Sequence, residues 1–281
     1  MPPSLSLTLP GSLTMQPMLN IALRAARLAS EQVQRASEKL EIIHSEKSEV
    51  SELIEETALK TEQTIVHTIQ KAYPNHALQG QFSGDYKPVG DKTEATWYIS
   101  AIDNVVNFTN GLPQLAVCLA AVIKGKVEHA VILNPITGEE FTASRGHGAI
   151  LNGRRIRVSD KKGIEGCTIA TNFADTSGDS AQLESYLAMT RDLHANRGTL
   201  QNSGSAALNF ANTAAGRIDG GFAGKLQQAT ALSCALLVQE AGGLIGDLAG
   251  GPNYKKSGEL VTGNAKVFKA LVQSIRASKA S

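Results

Sequence analysis

Aromatic residues are scarce, with seven Phe, five Tyr and a single Trp in 281 residues. None interleaves with the basic cluster Arg154, Arg155, Arg157, Lys161 and Lys162, which weakens a surface that recognises nucleic acid by stacking on its bases. Charge of one sign is also lacking. A formal net charge of +1 excludes a general nucleic-acid or membrane-surface binder and leaves room only for local patches. The three cysteines, Cys118, Cys167 and Cys234, lie far apart in apolar contexts, so neither a zinc knuckle nor a CxxC redox pair forms locally. They read as buried, reduced thiols. The six histidines contain no i, i+4 pair of the kind that ligates zinc on a helix. No G-x-G-x-x-G or Walker sequence occurs. The longest uninterrupted apolar run, Leu115 to Ile123, is far shorter than the roughly 20 residues that span a bilayer. Residues 1–14 carry no Lys or Arg and so lack the basic segment of a secretory signal. They are expected to be a flexible extension of a cytoplasmic protein.

What is present is ordinary core-forming material, 42% hydrophobic and 19% charged, in a chain long enough for two sub-domains. Apolar residues from Gln16 to about Leu40 recur at helical spacing. A second helix is predicted near Thr57 to Ala72, stopped by Tyr73-Pro74. Between them Lys47 to Glu56 reads as a solvated charge run rather than a regular element. Strands are predicted at Ala77–Gly80, Thr96–Ile102, Leu115–Ile123, Val127–Leu133 and Glu139–Ser144, with a hairpin at Lys124-Gly125-Lys126. The loop Gln81–Glu94 is expected to be structureless and to lie over the site. Further on, a strand at Cys167–Asn172 precedes helices at Ser180–His194, Ser205–Ala215 and Ala229–Ala241. Helices and strands in separate runs predict an α+β fold. Arg154, Arg155, Arg157, Lys161 and Lys162 read as an exposed sheet face, and Ser203-Gly204-Ser205 as a helix cap.

The stretch Trp97 to Phe108 organises the rest. A strand there runs into Asp103-Asn104, an arrangement suited to a cation or phosphate, because the last side chains project past the sheet. Metal-assisted phosphate chemistry, however, needs several converging carboxylates. This stretch has one, Asp103, with Ser100 where a second would point; the simpler reading is that Asp103 caps a turn. The segment resembles the signature strand of the inositol monophosphatase family, W-x-I-D-P-L-D-G-T-T-N-F, through Trp97, Ile99, Ile102, Asp103, Asn107 and Phe108. Matches continue from Ile136, Gly148, Gly204, Ala215 and Leu236, and the similarity is greatest to the bacterial SuhB branch. The resemblance implies a layered αβαβα sandwich with sub-domains at 15–160 and 161–281.

The same resemblance implies a magnesium site, and position by position its ligands are missing here. The family's Gly-Glu-Glu falls at Gly80-Gln81-Phe82, its first strand Asp at Ser100 and its water-orienting Thr at Val105. The Trp-Asp that opens a helix in the second half falls at Ala229-Thr230, a third-metal Asp at Ala58 and a substrate-orienting Glu at Ala223. Ile102, Asp103 and Lys47 remain. The remnant pocket is thus Lys47, Gln81, Ser100, Asp103, Val105 and Thr230, with Ala223 and Ala229 as degenerate substrate positions and no confident catalytic residue. Carboxylates packed together repel unless cations neutralise them, so abandoning metal favours neutral replacements. The expected function is a non-catalytic relative, with magnesium lost, that works as a binding protein. In the SuhB branch that role is transcription antitermination through the elongation protein NusA. Such a chain is expected to be a homodimer, away from membranes, meeting nucleic acid only through a complex. Two family arginines fall at Gln201 and Asn202. The alternatives are a metal-independent enzyme using the remodelled pocket and a weak residual phosphatase.

Overall fold

The computed structural model describes residues 17–42, 47–90, 92–172 and 180–278; the expected extension at 1–14 lies outside them. Two long helices come first, α1 (Pro17–Ile42) and α2 (Lys47–Ala72). The charge run Lys47–Glu56 is therefore helical, not irregular. Val50, Leu53 and Ile54 recur at i, i+3, i+4 and pack on the core, while Glu52, Glu55 and Glu56 face solvent. Four glutamates masked a sparse apolar stripe.

The first sheet follows as β1 (His76–Gly80), β2 (Gly84–Tyr86) and β3 (Ala95–Ser100), then a short α3 (Val105–Thr109). It continues with β4 (Val117–Ile123), β5 (Lys126–Leu133), β6 (Glu140–Ser144), β7 (Gly148–Leu151) and β8 (Arg154–Arg155). The spatial order is β2-β1-β3-β4-β5-β6-β7-β8. All pairings are antiparallel except β1 with β3. Strand β2 corrects the expectation of a structureless Gln81–Glu94, since three residues are too few to show period-two patterning. The β4–β5 turn holds Lys124 and Gly125 at φ 49° and 75°, the paired left-handed conformation that matches strand twist.

A second sheet is built from β9 (Thr168–Thr171), β10 (Thr199–Asn202), β11 (Gly220–Ala223), β12 (Leu244–Gly246) and β13 (Leu260–Gly263), in the order β10-β9-β11-β13-β12. Interleaved helices are α4 (Ser180–Ala195), α5 (Ala206–Ala214), α6 (Gln228–Glu240), α7 (Tyr254–Ser257) and α8 (Ala265–Ser278).

Strand alternation assigns the layers. Val117, Leu119 and Ala121 join α1 and α2 in one core, whereas Cys118 and Ala120 join α5 and α6 in another. A third core sets Met189 and Leu193 of α4 and Leu271 and Ile275 of α8 against Ile169 and Val261. The order is α1/α2, first sheet, α5/α6, second sheet, α4/α8, the layered αβαβα sandwich. With both faces covered, β4 and β5 read as nearly continuous apolar runs.

Candidate functional site

Strands β1 and β3 run parallel with Gly80 opposite Ile99, so both end on one edge and the chain leaves them side by side. That brings Gln81 to Ser100, whose hydroxyl donates to Gln81 Oε1 at 3.0 Å. Ser100 faces Cys118 across the β3–β4 ladder. Burial holds the Cys118 thiol pKa well above the usual range, with Asp103 adding to the rise and the side chains of Thr230 and Ser233 on α6 opposing it. Gln81 and Ser100 thus form a neutral hydrogen-bonded pair at the sheet edge, and Cys118 and Thr230 are both buried.

Asp103 sits three residues beyond Ser100. Its Oδ1 accepts from Ala116 N–H at 2.6 Å, and its own N–H donates back to Ala116 O at 3.0 Å. Oδ2 accepts from the Ser205 hydroxyl at 2.6 Å and from Ala207 N–H at 3.2 Å. Ser205 is the N-cap of α5, accepting from Leu208 N–H. Asp103 therefore pins the first sheet to the start of α5, and Asn104, not Asp103, caps the turn into α3. Burial pushes the Asp103 carboxyl up to about 6, with the Ser205 bond and the backbone donors opposing the rise. Asn107 extends the same joint by donating to Gln114 O and Ser203 O. Gly204, at φ 81°, lies where a β-carbon would meet Asn104 and Asn107.

One residue escaped the sequence reading. Glu62 of α2, fully buried, places its carboxylate in the turn after β1. It accepts from the N–H groups of Gln81, Phe82 and Ser83 at 2.7 to 3.1 Å and from the Ser83 hydroxyl at 2.5 Å. Successive backbone N–H groups form an anion nest, and here the anion is internal. A β-carbon on Gly80 would collide with that carboxylate. Only a buried acid in an amphipathic helix marked it in the sequence.

The other expected positions disperse. Val105 opens α3 and packs toward the α1/α2 core. Ile102, Ala58, Ala223 and Ala229 are buried without polar side-chain atoms. Lys47 begins α2, and its side chain lies outside the described residues.

Mg²⁺ binds through several carboxylate or carbonyl oxygens and keeps waters. Among the described residues no group of three or more His, Cys, Asp and Glu is placed to hold a metal. Both Asp103 oxygens are occupied by protein donors, and so is the Glu62 carboxylate. The residues present do not fit the ion.

Comparison with known proteins places this geometry. The inositol monophosphatase family model matches residues 14–280. A Nus factor SuhB from Pseudomonas aeruginosa is 43% identical over 262 residues, covering 93% of this chain and 97% of its own. The Nus factor SuhB of Escherichia coli is 37% identical over the same length and coverage. The crystal structure of extragenic suppressor protein suhB from Bartonella henselae superposes with a TM-score of 0.80 at 29% identity, covering 93% of this chain and all of that one. An inositol monophosphatase from Anabaena, at 24% identity and a TM-score of 0.79 over 94% and 96% of the two chains, shares the fold.

Proposed function

The chain belongs to the inositol monophosphatase family, and we propose that within it the chain is a non-catalytic binding protein of the transcription elongation machinery. One observation carries the reading. Where hydrolysis would need converging carboxylates, the site has a neutral Gln81–Ser100 pair, and the remaining acid, Asp103, is consumed as a strut between the sheet and α5. Metal-activated water is central to this hydrolysis, and among the described residues no ligand set for it is assembled. Relatives bearing the name Nus factor point to the partner class. Recruitment needs a complementary surface rather than metal chemistry, and the exposed edge strand β10, with Gln201 and Asn202, offers neutral donors where the resemblance implies arginines. The proposed setting is the cytoplasm, as a homodimer. A metal-free enzyme is disfavoured because burial pushes the pKa of the one thiol beside Ser100 on the ladder, Cys118, well above the usual range, away from the nucleophilic thiolate.

The test pairs two measurements. Purified protein with inositol 1-phosphate and millimolar Mg²⁺ is expected to show no chelator-sensitive turnover, against roughly 1 s⁻¹ or more for a typical enzyme. Binding to purified NusA is expected to persist in chelator. Enzyme-level turnover abolished by chelator would overturn the non-catalytic reading; failure to bind NusA would overturn the partner.

A further inference from the structure

Three separate segments bring lysines to the rim of one open groove, about 420 Å³ in volume, whose lining includes Leu226, Gln228, Lys255, Lys256 and Gly258. Leu226 N–H donates to Gly258 O at 2.9 Å, which fixes Lys225 beside Lys255 and Lys256. Lys255 Nζ reaches Gly125 O at 3.5 Å, so the hairpin tip with Lys124 and Lys126 joins the same rim. All five lysines are exposed. Among the described residues none of them enters an ion pair. In a chain of formal net charge +1 this is a concentrated local excess.

Two of the five are held at a conformational cost. Among the described residues four that are not glycine have positive φ, and two of these are Lys124 at 49° and Lys225 at 55°. A β-carbon in that region costs about 1 kcal/mol, and Gly or Asn would relieve it. Neither side chain packs in the core, and a lysine stands at each position although Gly would be less strained there.

We propose that this rim binds the phosphate chain of single-stranded nucleic acid without reading its sequence. Lysines are point charges on flexible stems, suited to a repeating phosphate chain. A protein interface of this size would be expected to offer Arg or aromatic anchors, and the groove is lined by neither. Base stacking is likewise unsupported, which leaves the backbone as the recognised element. The inference does not depend on the loss of catalysis and locates a contact separate from the Asp103 joint.

Fluorescence anisotropy with a labelled oligouridylate of about twelve nucleotides tests it. Binding should weaken steeply with salt, with a log–log slope of about −3 if most of the five lysines each neutralise a phosphate. Lys255→Glu with Lys256→Glu should weaken binding at least tenfold, whereas Arg154→Glu with Arg155→Glu, on β8, should change it less than twofold. Lys124→Asn with Lys225→Asn should weaken binding while raising the melting temperature, which separates loss of charge from loss of fold. A deoxy oligonucleotide should compete equally. No binding at low salt, equal losses in the Lys255/Lys256 and Arg154/Arg155 variants, or capture of polyglutamate without competition by the oligonucleotide would overturn the proposal, the last in favour of an acidic protein partner.

Discussion

Trp97, the single tryptophan, donates its indole N–H to Nδ1 of buried His76 at 3.0 Å, while Tyr73 stacks on the imidazole at 4.7 Å. An accepting Nδ1 means a neutral ring protonated at Nε2. Burial depresses the His76 pKa below 6.5, and the nearby Glu94 charge opposes that shift. The unfolded chain therefore takes up its proton first as the solution is acidified, so this ring's contribution to stability is present above about pH 6.5 and is lost as the pH falls below that through the lower folded-state pKa. Tryptophan emission, excited where tyrosine does not absorb, reports this one contact. It is expected to stay flat from alkaline pH down past 6.5 and to change only below, and His76→Gln should abolish the change. A midpoint at or above 6.5 would contradict the buried neutral ring. At this scale the sequence was partly legible. Ser100 and Asp103 are legible because a strand end and a single acid can be read from spacing, whereas Gln81 is reached only through the family resemblance. The Ser205 partner of Asp103 lies 102 positions away, and no spacing announces it.

The α2 helix and the β1–β2 turn form one clasp through Glu62, whose partners are mostly backbone N–H groups and so leave no side-chain pattern to recognise. Glu62→Gln would turn an amide N–H₂ toward donors, and Gly80→Ala would push a β-carbon into the carboxylate. Each is expected to cost about 2 kcal/mol in urea unfolding, the scale of a charge-assisted buried hydrogen bond left poorly matched. Because both act on the same contact, the double variant should lose clearly less than the sum; full additivity would show that the clasp is not one unit. The elements with a strong signal were legible, α1 through helical periodicity and β4 and β5 as apolar runs. The start of α2 was hidden by its glutamates. The strands β11 and β12, with sequences Gly-Gly-Phe-Ala and Leu-Ile-Gly, are too short and too glycine-rich to show a period.

Across the whole molecule, the five layers are held by apolar cores on both faces of each sheet, and the joint at Asp103 is made from the protein's own hydrogen bonds. The layered architecture was readable through family resemblance, whereas composition alone reached only α+β. What resemblance could not supply was how these positions are bonded: Ser100 to Gln81, and Asp103 to the cap of α5. On the proposed reading such a scaffold has no stability to gain from a divalent cation. Isothermal titration of Mg²⁺ into chelator-treated protein tests that claim most directly. The account predicts no saturable heat at millimolar concentrations and identical traces for the native chain and Asp103→Asn; a saturable site in the native chain that Asp103→Asn removes would contradict it.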